Sequence, residues 1–235
     1  MFGNSSTKDW PDNFDFDTDE ICQTVFKPFI ENEMAQLKAY DSERPDDITY
    51  IFHEHAQRVA GNMKKTCLHI GLSDVIANNM YWAILPHDIG KKNLPLDIWD
   101  TEEKPQDSLK KYRRTHTLLG AQIVQEYLPD IDHPFKDLMI DVMANHHEQI
   151  DGHGTHEVAG DALSLPVRLS AIVEAYDGWR IWRPHFEDRD ISIPAVLERM
   201  RAEKGAEIFD MNLFESFAEM KMMEYKSSSQ FEDKK

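Results

Sequence analysis

The chain has 235 residues and a formal net charge of −17, with 43 Asp and Glu against 26 Lys and Arg. An electric field of that sign repels duplex nucleic acid and anionic membranes, so we expect neither as a partner. Two isolated cysteines, no signal-peptide pattern and no long apolar run argue against a disulfide framework, secretion and a membrane helix, and predict a cytoplasmic protein.

Apolar residues recur at helical spacing through most of the chain, whereas no segment alternates with the period of two that is typical of strands. The sequence therefore predicts an all-α fold, arranged as a helical bundle with a metal site between its helices. In chain order, the predicted helices cover residues 21–34, 48–63, 73–85, 106–128, 134–147, 165–179, 193–203 and 213–225.

Local signals indicate where these segments begin and end. Ser73 is expected to cap the third helix, and Asp46 or Asp47 the second. Residues 1–16 and 226–235 show little periodicity and are predicted to be loosely ordered, which leaves 17–225 as a single domain. The 47 residues before Ile48 are too few for a sensory domain, so we expect limited regulation within the chain.

Residues with ligand chemistry recur at intervals of 28–32 residues, at His55, His87, His116, His146 and Glu174. A helix of roughly 11–12 residues with short connections needs about 30 residues to return to the same end of a bundle. Side chains spaced in this way can therefore converge. Because neutral imidazole and carboxylate bind divalent metals well, the spacing predicts a metal centre made of histidines and carboxylates.

Two adjacent pairs suggest more than one ion. His87 and Asp88 are neighbours, as are His146 and His147, and neighbours at the end of a helix can point towards different ions. A carboxylate such as Asp88 is suited to bridging two metals, and paired metals stabilise the attacking and leaving oxygens in phosphoryl chemistry. The donors exceed what one tetrahedral ion requires.

Seven ordered blocks resemble the HD-domain metal-dependent phosphohydrolases, and within them the HD-GYP group, whose members hydrolyse cyclic dinucleotides. The resemblance covers about residues 48–184. Its blocks are His55-x-x-Arg-Val-Ala, His87-Asp88-Ile-Gly-Lys91, Asn93-Leu-Pro95, Arg114-Thr-His116 with Gly120, His146-His147-Glu148, Asp151-Gly152-x-Gly154, and Arg168 to Asp177 followed by Arg183-Pro184.

The resemblance implies which residues form the site. Lys91 is expected to face the substrate phosphate, with Asp88, as part of the catalytic machinery, and Arg183 is a candidate phosphate clamp. These cations would supply the positive charge that an acidic chain needs at a phosphate site. The implied metal ligands are His55, His87, Asp88, His116, His146 and His147, completed by Glu174.

Three positions depart from the family pattern. Glu174 stands where the family has Asp, and Asp177, one helical turn later, is the alternative ligand. Gly154-Thr155-His156 replaces the Gly-Tyr-Pro signature, which weakens the expectation of a guanine-containing substrate. Ile51 stands four residues before His55, where some relatives carry a Glu that helps to hold a third metal, so a binuclear centre is expected.

The leading hypothesis is a phosphodiesterase that cleaves a cyclic dinucleotide such as cyclic di-GMP with a metal-activated hydroxide at two divalent ions. The resemblance favours iron or manganese, with zinc, nickel, cobalt and magnesium as alternatives. Two other functions remain open, namely a phosphohydrolase of another nucleotide or phosphorylated metabolite and a non-catalytic HD signalling module. The expected partner is a small phosphate-containing substrate, and the oligomeric state is left open.

Overall fold

The computed structural model describes residues 10–232, with side chains as far as Ser228. This part of the chain is helical and contains no strand, which confirms the all-α prediction. The α-helices are α1 (Lys27–Asp41), α2 (Phe52–His69), α3 (Asp74–Ile84), α4 (Asp107–Arg114), α5 (His116–Tyr127), α6 (Pro134–Asn145), α7 (Leu165–Arg180), α8 (Ile193–Glu203), α9 (Gly205–Ile208) and α10 (Met211–Glu232).

Short elements join the helices near the candidate ligands. A π-helical segment, Cys22–Phe26, leads into α1, and 3₁₀ helices cover Ile89–Asn93 and Leu96–Ile98 after α3. Further 3₁₀ turns cover Gly160–Ala162 and Pro184–Phe186, on either side of α7. None of the helices within residues 10–232 is long and apolar enough to cross a bilayer.

The predicted helix over 106–128 is divided in two at Thr115. Near the break, side chains bind backbone carbonyls, because the Thr115 hydroxyl donates to the Tyr112 carbonyl and the His116 Nδ1 lies 2.6 Å from the Arg113 carbonyl oxygen. Such local bonds compete with regular helix bonds. The apolar period continues through the break, which is why periodicity alone predicted one helix.

The capping predictions have mixed outcomes. The Ser73 hydroxyl accepts from the Ile76 N–H, so that prediction is confirmed. The prediction of Asp46 or Asp47 at the start of α2 is wrong, because Asp41 has this role instead. Its carboxylate accepts from the backbone N–H groups of Phe52 and His53, eleven and twelve residues further along the chain.

The predicted loose termini also differ from the structure. Phe16 is fully buried against Trp82 and Phe135, and its N–H donates to the Asn79 side chain. At the other end, α10 continues helical to Glu232 rather than ending at Tyr225. Residues 1–9 and 233–235 of the predicted loose ends lie outside the described residues. Within residues 10–16 the prediction is wrong at Phe16, because a single buried aromatic ring gives no periodic signal.

A backbone crossing beside the site requires glycine. Gly90, in the 3₁₀ helix after α3, lies against the first turn of α5, and a Cβ there would lie 2.1 Å from the His116 carbonyl oxygen and 2.5 Å from the Gly120 nitrogen. Only a residue without a side chain allows this approach. The crossing fixes the end of α3, with His87 and Asp88, beside His116 at the start of α5.

Candidate metal centre

The candidate ligands come from five helices and meet at one buried place. His55 lies in the first turn of α2, His116 begins α5, and Glu174 is in the middle of α7. His87 and Asp88 follow the end of α3, and His146 and His147 follow the end of α6. The side chains of His55, His87, Asp88, His116 and His146 are almost completely buried.

The donors form two groups of three. In each group, one ligand atom from every residue lies within 4.8 Å of the others. The first group is His55, His87 and Asp88, and the second is His116, His146 and His147.

Asp88 lies between the two groups. Its Oδ2 is 3.7 Å from His55 Nε2 and 3.5 Å from His87 Nε2. Its Oδ1 is 3.1 Å from His116 Nε2 and 4.0 Å from His146 Nε2. One carboxylate oxygen therefore faces each group, which is the arrangement that a bridging ligand requires.

Glu174 faces both groups as well, whereas Asp177 does not. Glu174 Oε1 is 3.9 Å from His55 Nε2, and its Oε2 is 3.9 Å from His147 Nδ1. Asp177 instead lies behind His55, with its Oδ2 2.7 Å from the Nδ1 on the far side of the ring, and it also accepts from Arg58. The geometry therefore favours Glu174 over Asp177 as a candidate ligand, and Asp177 supports the ring of His55.

The histidine tautomers are fixed by bonds on the outer side of each ring. The Nδ1 of His87, His116 and His146 lies 2.8, 2.6 and 2.9 Å from the backbone carbonyl oxygens of Ile84, Arg113 and Met143. A carbonyl only accepts, so each Nδ1 carries the proton and each Nε2 presents a lone pair to the centre.

The buried lone pairs of the centre suit a metal ion. His55 Nε2, His87 Nε2 and Asp88 Oδ1 are buried without a hydrogen-bond partner. His116 Nε2 and His146 Nε2 lie 3.2 Å apart although both are acceptors, which is unfavourable unless a cation lies between or beside them. Buried unpartnered acceptors in this number are costly, and divalent ions satisfy them.

Burial sets the protonation of the imidazoles. It lowers the pKa of His87 to about 4, and burial together with neighbouring imidazoles holds the pKa of His146 and His147 well below the ordinary value. All three rings are therefore neutral at pH 7, which is the form that binds metals. Burial would by itself raise the pKa of Asp88, but Lys91 and His87 hold it well below its usual range.

Lys91 is held close to the bridging carboxylate. Its Nζ lies 2.5 Å from Asp88 Oδ2, and the side chain is buried. The rings of Tyr50, Phe52 and Trp99 surround the ammonium at 5.1, 4.4 and 5.6 Å. Lys91 thus lies beside the candidate ligands, where the motif places it. Its ammonium group is paired with the Asp88 carboxylate.

Arg183 also lies at the centre, on the other side of Tyr50. Its guanidinium carbon is 4.6 Å from the centroid of the Tyr50 ring, which itself packs edge-on against His55 at 5.0 Å. Arg183 donates to the Gly178 carbonyl, and its buried Nε has no partner within residues 10–228. The site therefore brings Lys91 and Arg183 together around one aromatic ring.

The Gly154-Thr155-His156 loop is anchored although it lacks the family's Tyr and Pro. Buried Glu148 accepts from the backbone N–H groups of His156 and Val158. A Cβ on Gly154 would lie 2.5 Å from the Glu148 Cα, so the loop passes directly over this residue. Glu148 thus holds this loop in place without the Tyr and Pro of the family signature.

Sequence reasoning missed three contributors. Tyr50 precedes α2 and gives no periodic signal, and Arg58 lies in the His55 motif with nothing in the sequence to indicate its partner. Glu148 belongs to the His146-His147-Glu148 block, and its position shortly before a glycine-containing loop is the one signal that indicates a contact with that loop. The partner of Arg58, by contrast, lies 119 residues away and could not be inferred from spacing.

Comparison with known proteins gives the family. The HD domain profile matches residues 46–213. The cyclic di-GMP phosphodiesterase PA4108 of Pseudomonas aeruginosa is 28% identical over 200 residues, which cover 85% of this chain and 44% of that protein. The 3′3′-cGAMP-specific phosphodiesterase 1 of Vibrio cholerae is 25% identical over 197 residues, covering 80% of this chain and 43% of that protein. The chain thus spans less than half the length of these relatives.

Solved structures show the same fold. Bd1817, an HDG"Y"P protein from Bdellovibrio bacteriovorus, aligns with a TM-score of 0.58 at 16% identity, covering 85% of this chain and 62% of that one. The HD domain of the L. monocytogenes phosphodiesterase PgpH aligns with a TM-score of 0.54 at 13% identity, covering 84% and 98%. Its complex with cyclic-di-AMP gives 0.51 at 13% identity, covering 83% and 96%. Because the profile matches most of its length, the chain belongs to the HD domain family.

Proposed function

We propose that this protein is a metal-dependent phosphodiesterase that hydrolyses a cyclic dinucleotide at a binuclear centre. The observation that supports this best is the position of Asp88, whose two oxygens face two separate histidine groups. Both curated relatives are named as phosphodiesterases of cyclic dinucleotides. We also assign the activity to one domain, because a single hydrophobic cluster joins residues from Phe16 to Met220.

The donor set is consistent with two divalent ions. The candidate donors are the nitrogens of five histidines, the carboxylate of Asp88 and the carboxylate of Glu174. Such mixed nitrogen and oxygen coordination suits iron or manganese. Two bound ions would supply an activated water as nucleophile and positive charge for the phosphoryl oxygens. We propose His55, His87 and Asp88 as ligands of one ion, His116, His146 and His147 as ligands of the other, and Glu174 as a ligand shared between them.

The surrounding residues of the chain would position the substrate. Lys91 holds Asp88 in place and adds a positive charge next to it, which favours a developing negative charge on phosphate. Arg183 lies across Tyr50 from Lys91 without a carboxylate partner within residues 10–228, and its terminal guanidinium nitrogens would bind a phosphate oxygen. Because these groups are already ordered, little reorganisation is needed on binding.

A second candidate is a phosphohydrolase of another nucleotide. It is favoured by Thr155 and His156, which replace the family's Tyr and Pro in the loop beside Glu148. The two functions share the metal centre and differ in the substrate. A non-catalytic module is disfavoured, because the chain retains a complete set of buried donors.

The test combines metal content with turnover. Protein purified without oxygen is loaded with Fe²⁺ or Mn²⁺, analysed for bound metal, and assayed with cyclic di-GMP, cyclic GMP-AMP, cyclic di-AMP and mononucleotides. We expect about two ions per chain and hydrolysis of a cyclic dinucleotide, both lost in Asp88→Asn. His69→Gln, a histidine outside both groups, is the control and should change neither. Full metal occupancy with no turnover of any phosphodiester would refute the proposal, and turnover of mononucleotides alone would select the second candidate.

A further inference from the structure

A half-buried tyrosine outside the set of candidate ligands contacts three parts of the metal centre. Tyr50 lies in the segment that leads into α2. Its ring packs edge-on against His55, with the ring centroids 5.0 Å apart. The charged groups of Lys91 and Arg183 lie over the same ring, at 5.1 and 4.6 Å from its centroid. One side chain thus contacts a candidate metal ligand and both cations of the site.

The backbone of Tyr50 is held by a buried arginine. The Arg44 guanidinium donates to the Tyr50 carbonyl at 2.9 Å. Arg44 is itself paired with Asp41 at the end of α1, and it binds both carboxylate oxygens of Asp100 in the loop before α4. Because such a two-point ion pair restricts a guanidinium to one geometry, the network fixes the place where the chain enters α2. The Tyr50 ring therefore projects from a fixed backbone position.

A neighbouring contact joins this segment to the one that carries Arg183. The Thr49 hydroxyl donates to the backbone carbonyl of Trp182. Thr49 and Tyr50 are adjacent in sequence, as are Trp182 and Arg183, so two consecutive contacts link the chain before α2 to the chain after α7. The two segments are therefore held together at the point where Arg183 lies over the ring.

The two cations depend on the Tyr50 ring to different degrees. Lys91 is paired with the Asp88 carboxylate at 2.5 Å, which holds its ammonium group independently of the ring. Arg183 has no carboxylate partner within residues 10–228, and its hydrogen bond is a 3.2 Å contact with the Gly178 carbonyl. Phe186 lies further from the guanidinium, at 5.7 Å. Loss of the Tyr50 ring should therefore release Arg183 more than Lys91.

The ring also makes it easier to hold two like charges close together. The negative face of an aromatic ring attracts an ammonium or a guanidinium group, and the attraction increases where water is partly excluded. Phenylalanine offers the same kind of face as tyrosine, whereas an aliphatic side chain offers none. The property that matters at this position is therefore the ring of Tyr50 rather than its hydroxyl group.

We propose that Tyr50 is a positioning residue, whose ring holds the Arg183 guanidinium beside Lys91 and the candidate metal ligands in the orientation that meets the substrate. This inference rests on the proposed function, in which Arg183 binds the substrate. Tyr50 takes no part in bond cleavage. Loss of its ring should therefore weaken substrate binding and leave the rate of the chemical step nearly unchanged.

The first test is a pair of substitutions at this position. Tyr50→Leu should raise the KM for cyclic di-GMP about three- to tenfold, the range expected for the loss of one cation–π contact, and should change kcat by less than about twofold. Tyr50→Phe, which keeps the ring, should restore most of the wild-type KM. Tyr127→Leu, at an exposed tyrosine of α5, is the matched control and should change neither constant. A wild-type KM in Tyr50→Leu, or an equally raised KM in Tyr50→Phe, overturns the proposal.

A double-mutant cycle shows whether Tyr50 acts through Arg183. Arg183→Gln should itself raise the KM. Adding Tyr50→Leu to that variant should raise the KM further by less than about twofold, because the ring then has no guanidinium to hold. Effects that multiply in full would mean that Tyr50 acts independently of Arg183, which overturns the proposal.

Metal binding tests the other contact of the ring. His55 keeps its hydrogen bond with Asp177 when the ring is removed, so Tyr50→Leu should bind Mn²⁺ with wild-type affinity. A loss of Mn²⁺ affinity in this variant would mean that the ring supports His55 rather than Arg183, and would overturn the proposal.

Equilibrium binding separates this proposal from the proposed function. Cyclic di-GMP and inorganic phosphate are each titrated calorimetrically into the Mn²⁺-loaded wild type, Tyr50→Leu and Tyr50→Phe. Binding of cyclic di-GMP by the wild type without hydrolysis contradicts the proposed function. A Kd that is about three- to tenfold higher in Tyr50→Leu and restored in Tyr50→Phe still supports the role of Tyr50. An unchanged Kd for both probes, or a wild type that binds neither probe, overturns that role.

Discussion

The carboxylate of Asp177 lies 2.7 Å from the Nδ1 of His55, on the side of the ring that faces away from the metal centre. This carboxylate also accepts from both the Nε and an Nη of Arg58. Although burial opposes it, hydrogen bonds from His55 and Arg58 lower the pKa of Asp177, which stays ionised. The ring of His55 is thereby oriented with Nε2 towards Asp88.

Removing this support should weaken one metal site more than the other. We expect Asp177→Ala to reduce the affinity for the ion at His55, His87 and Asp88 about 10- to 100-fold, which is the usual effect of losing a carboxylate behind a ligating histidine. The second group of ligands does not contact Asp177 and should keep its ion. Calorimetric titration with Mn²⁺ should therefore change from two tight sites to one tight and one weak.

Arg58→Gln serves as the matched control for this titration. It removes the ion pair with Asp177 but leaves the bond between Asp177 and His55, so its effect on affinity should be smaller. Two tight sites in Asp177→Ala would contradict the assigned role. An equal loss of Mn²⁺ affinity at both sites in Asp177→Ala would instead indicate a general loss of structure.

The sequence was sufficient to predict that the candidate ligands lie together, because helical spacing and chemistry agree. Donors that are separated in sequence by about one helix and the connection back to the same end of the bundle can converge. His55, His87, His116 and His146 could therefore be predicted as neighbours. The choice between Glu174 and Asp177 could not be made in this way. Both lie on α7 one turn apart, and only packing shows that one faces the donors and the other the back of His55.

Features that depend on single contacts were not predictable. Asp41 caps α2 from the previous helix, Thr115 breaks a helix whose apolar period continues, and Phe16 packs into the core from a polar segment. Each of these features depends on the contacts of one side chain with residues that no regular spacing relates to it. Periodicity averages over many residues and therefore does not detect them.

Glu148 offers a test of the anchored loop. Glu148→Ala removes the acceptor of the His156 and Val158 N–H groups, so residues 152–158 should become mobile. We expect faster cleavage within this loop in limited proteolysis, measured by mass spectrometry, because local opening exposes the backbone. Bound metal should remain at the wild-type level. Loss of both ions, or an unchanged cleavage rate, would contradict the role of Glu148 as a loop anchor.

The buried histidines predict how the metal-free protein responds to acid. The pKa of His87 is lowered from 6.5 to about 4 by burial, so the unfolded chain binds this proton at a higher pH than the folded chain. Stability should therefore fall as the pH drops from 6.5 to about 4, on the order of 3 kcal/mol from this group alone. His146 and His147 have lowered pKa values too and act in the same direction.

Urea unfolding of the metal-free protein at several pH values would measure this slope. Asp88 acts in the same direction, because the stability from its lowered pKa is lost as the pH falls through about 3.8. Glu174 opposes part of the slope near its lower end, because burial raises the pKa of its carboxyl and protonation then favours the folded state. His87→Gln should flatten the slope, since it removes one of the titrating groups. A metal-free protein whose stability is constant from pH 6.5 to 4 would contradict the burial of neutral imidazoles.

The glycine at the crossing of α5 provides a paired stability test. Gly90→Ala places a Cβ 2.1 Å from the His116 carbonyl oxygen, a contact that only backbone movement can relieve. We expect a loss of about 2–4 kcal/mol in the free energy of unfolding, as for overpacking at a rigid position. Gly61→Ala is the control, because nothing lies within 4 Å of its Cβ in the interior of α2. That change should raise stability by about 0.5–1 kcal/mol, since alanine is the better helix former.

The same pair of variants tests the position of His116. The backbone movement that Gly90→Ala requires should shift His116 away from Asp88 and so weaken Mn²⁺ binding, whereas Gly61→Ala should leave Mn²⁺ binding unchanged. Equal affinities in both variants would contradict the proposed role of the crossing.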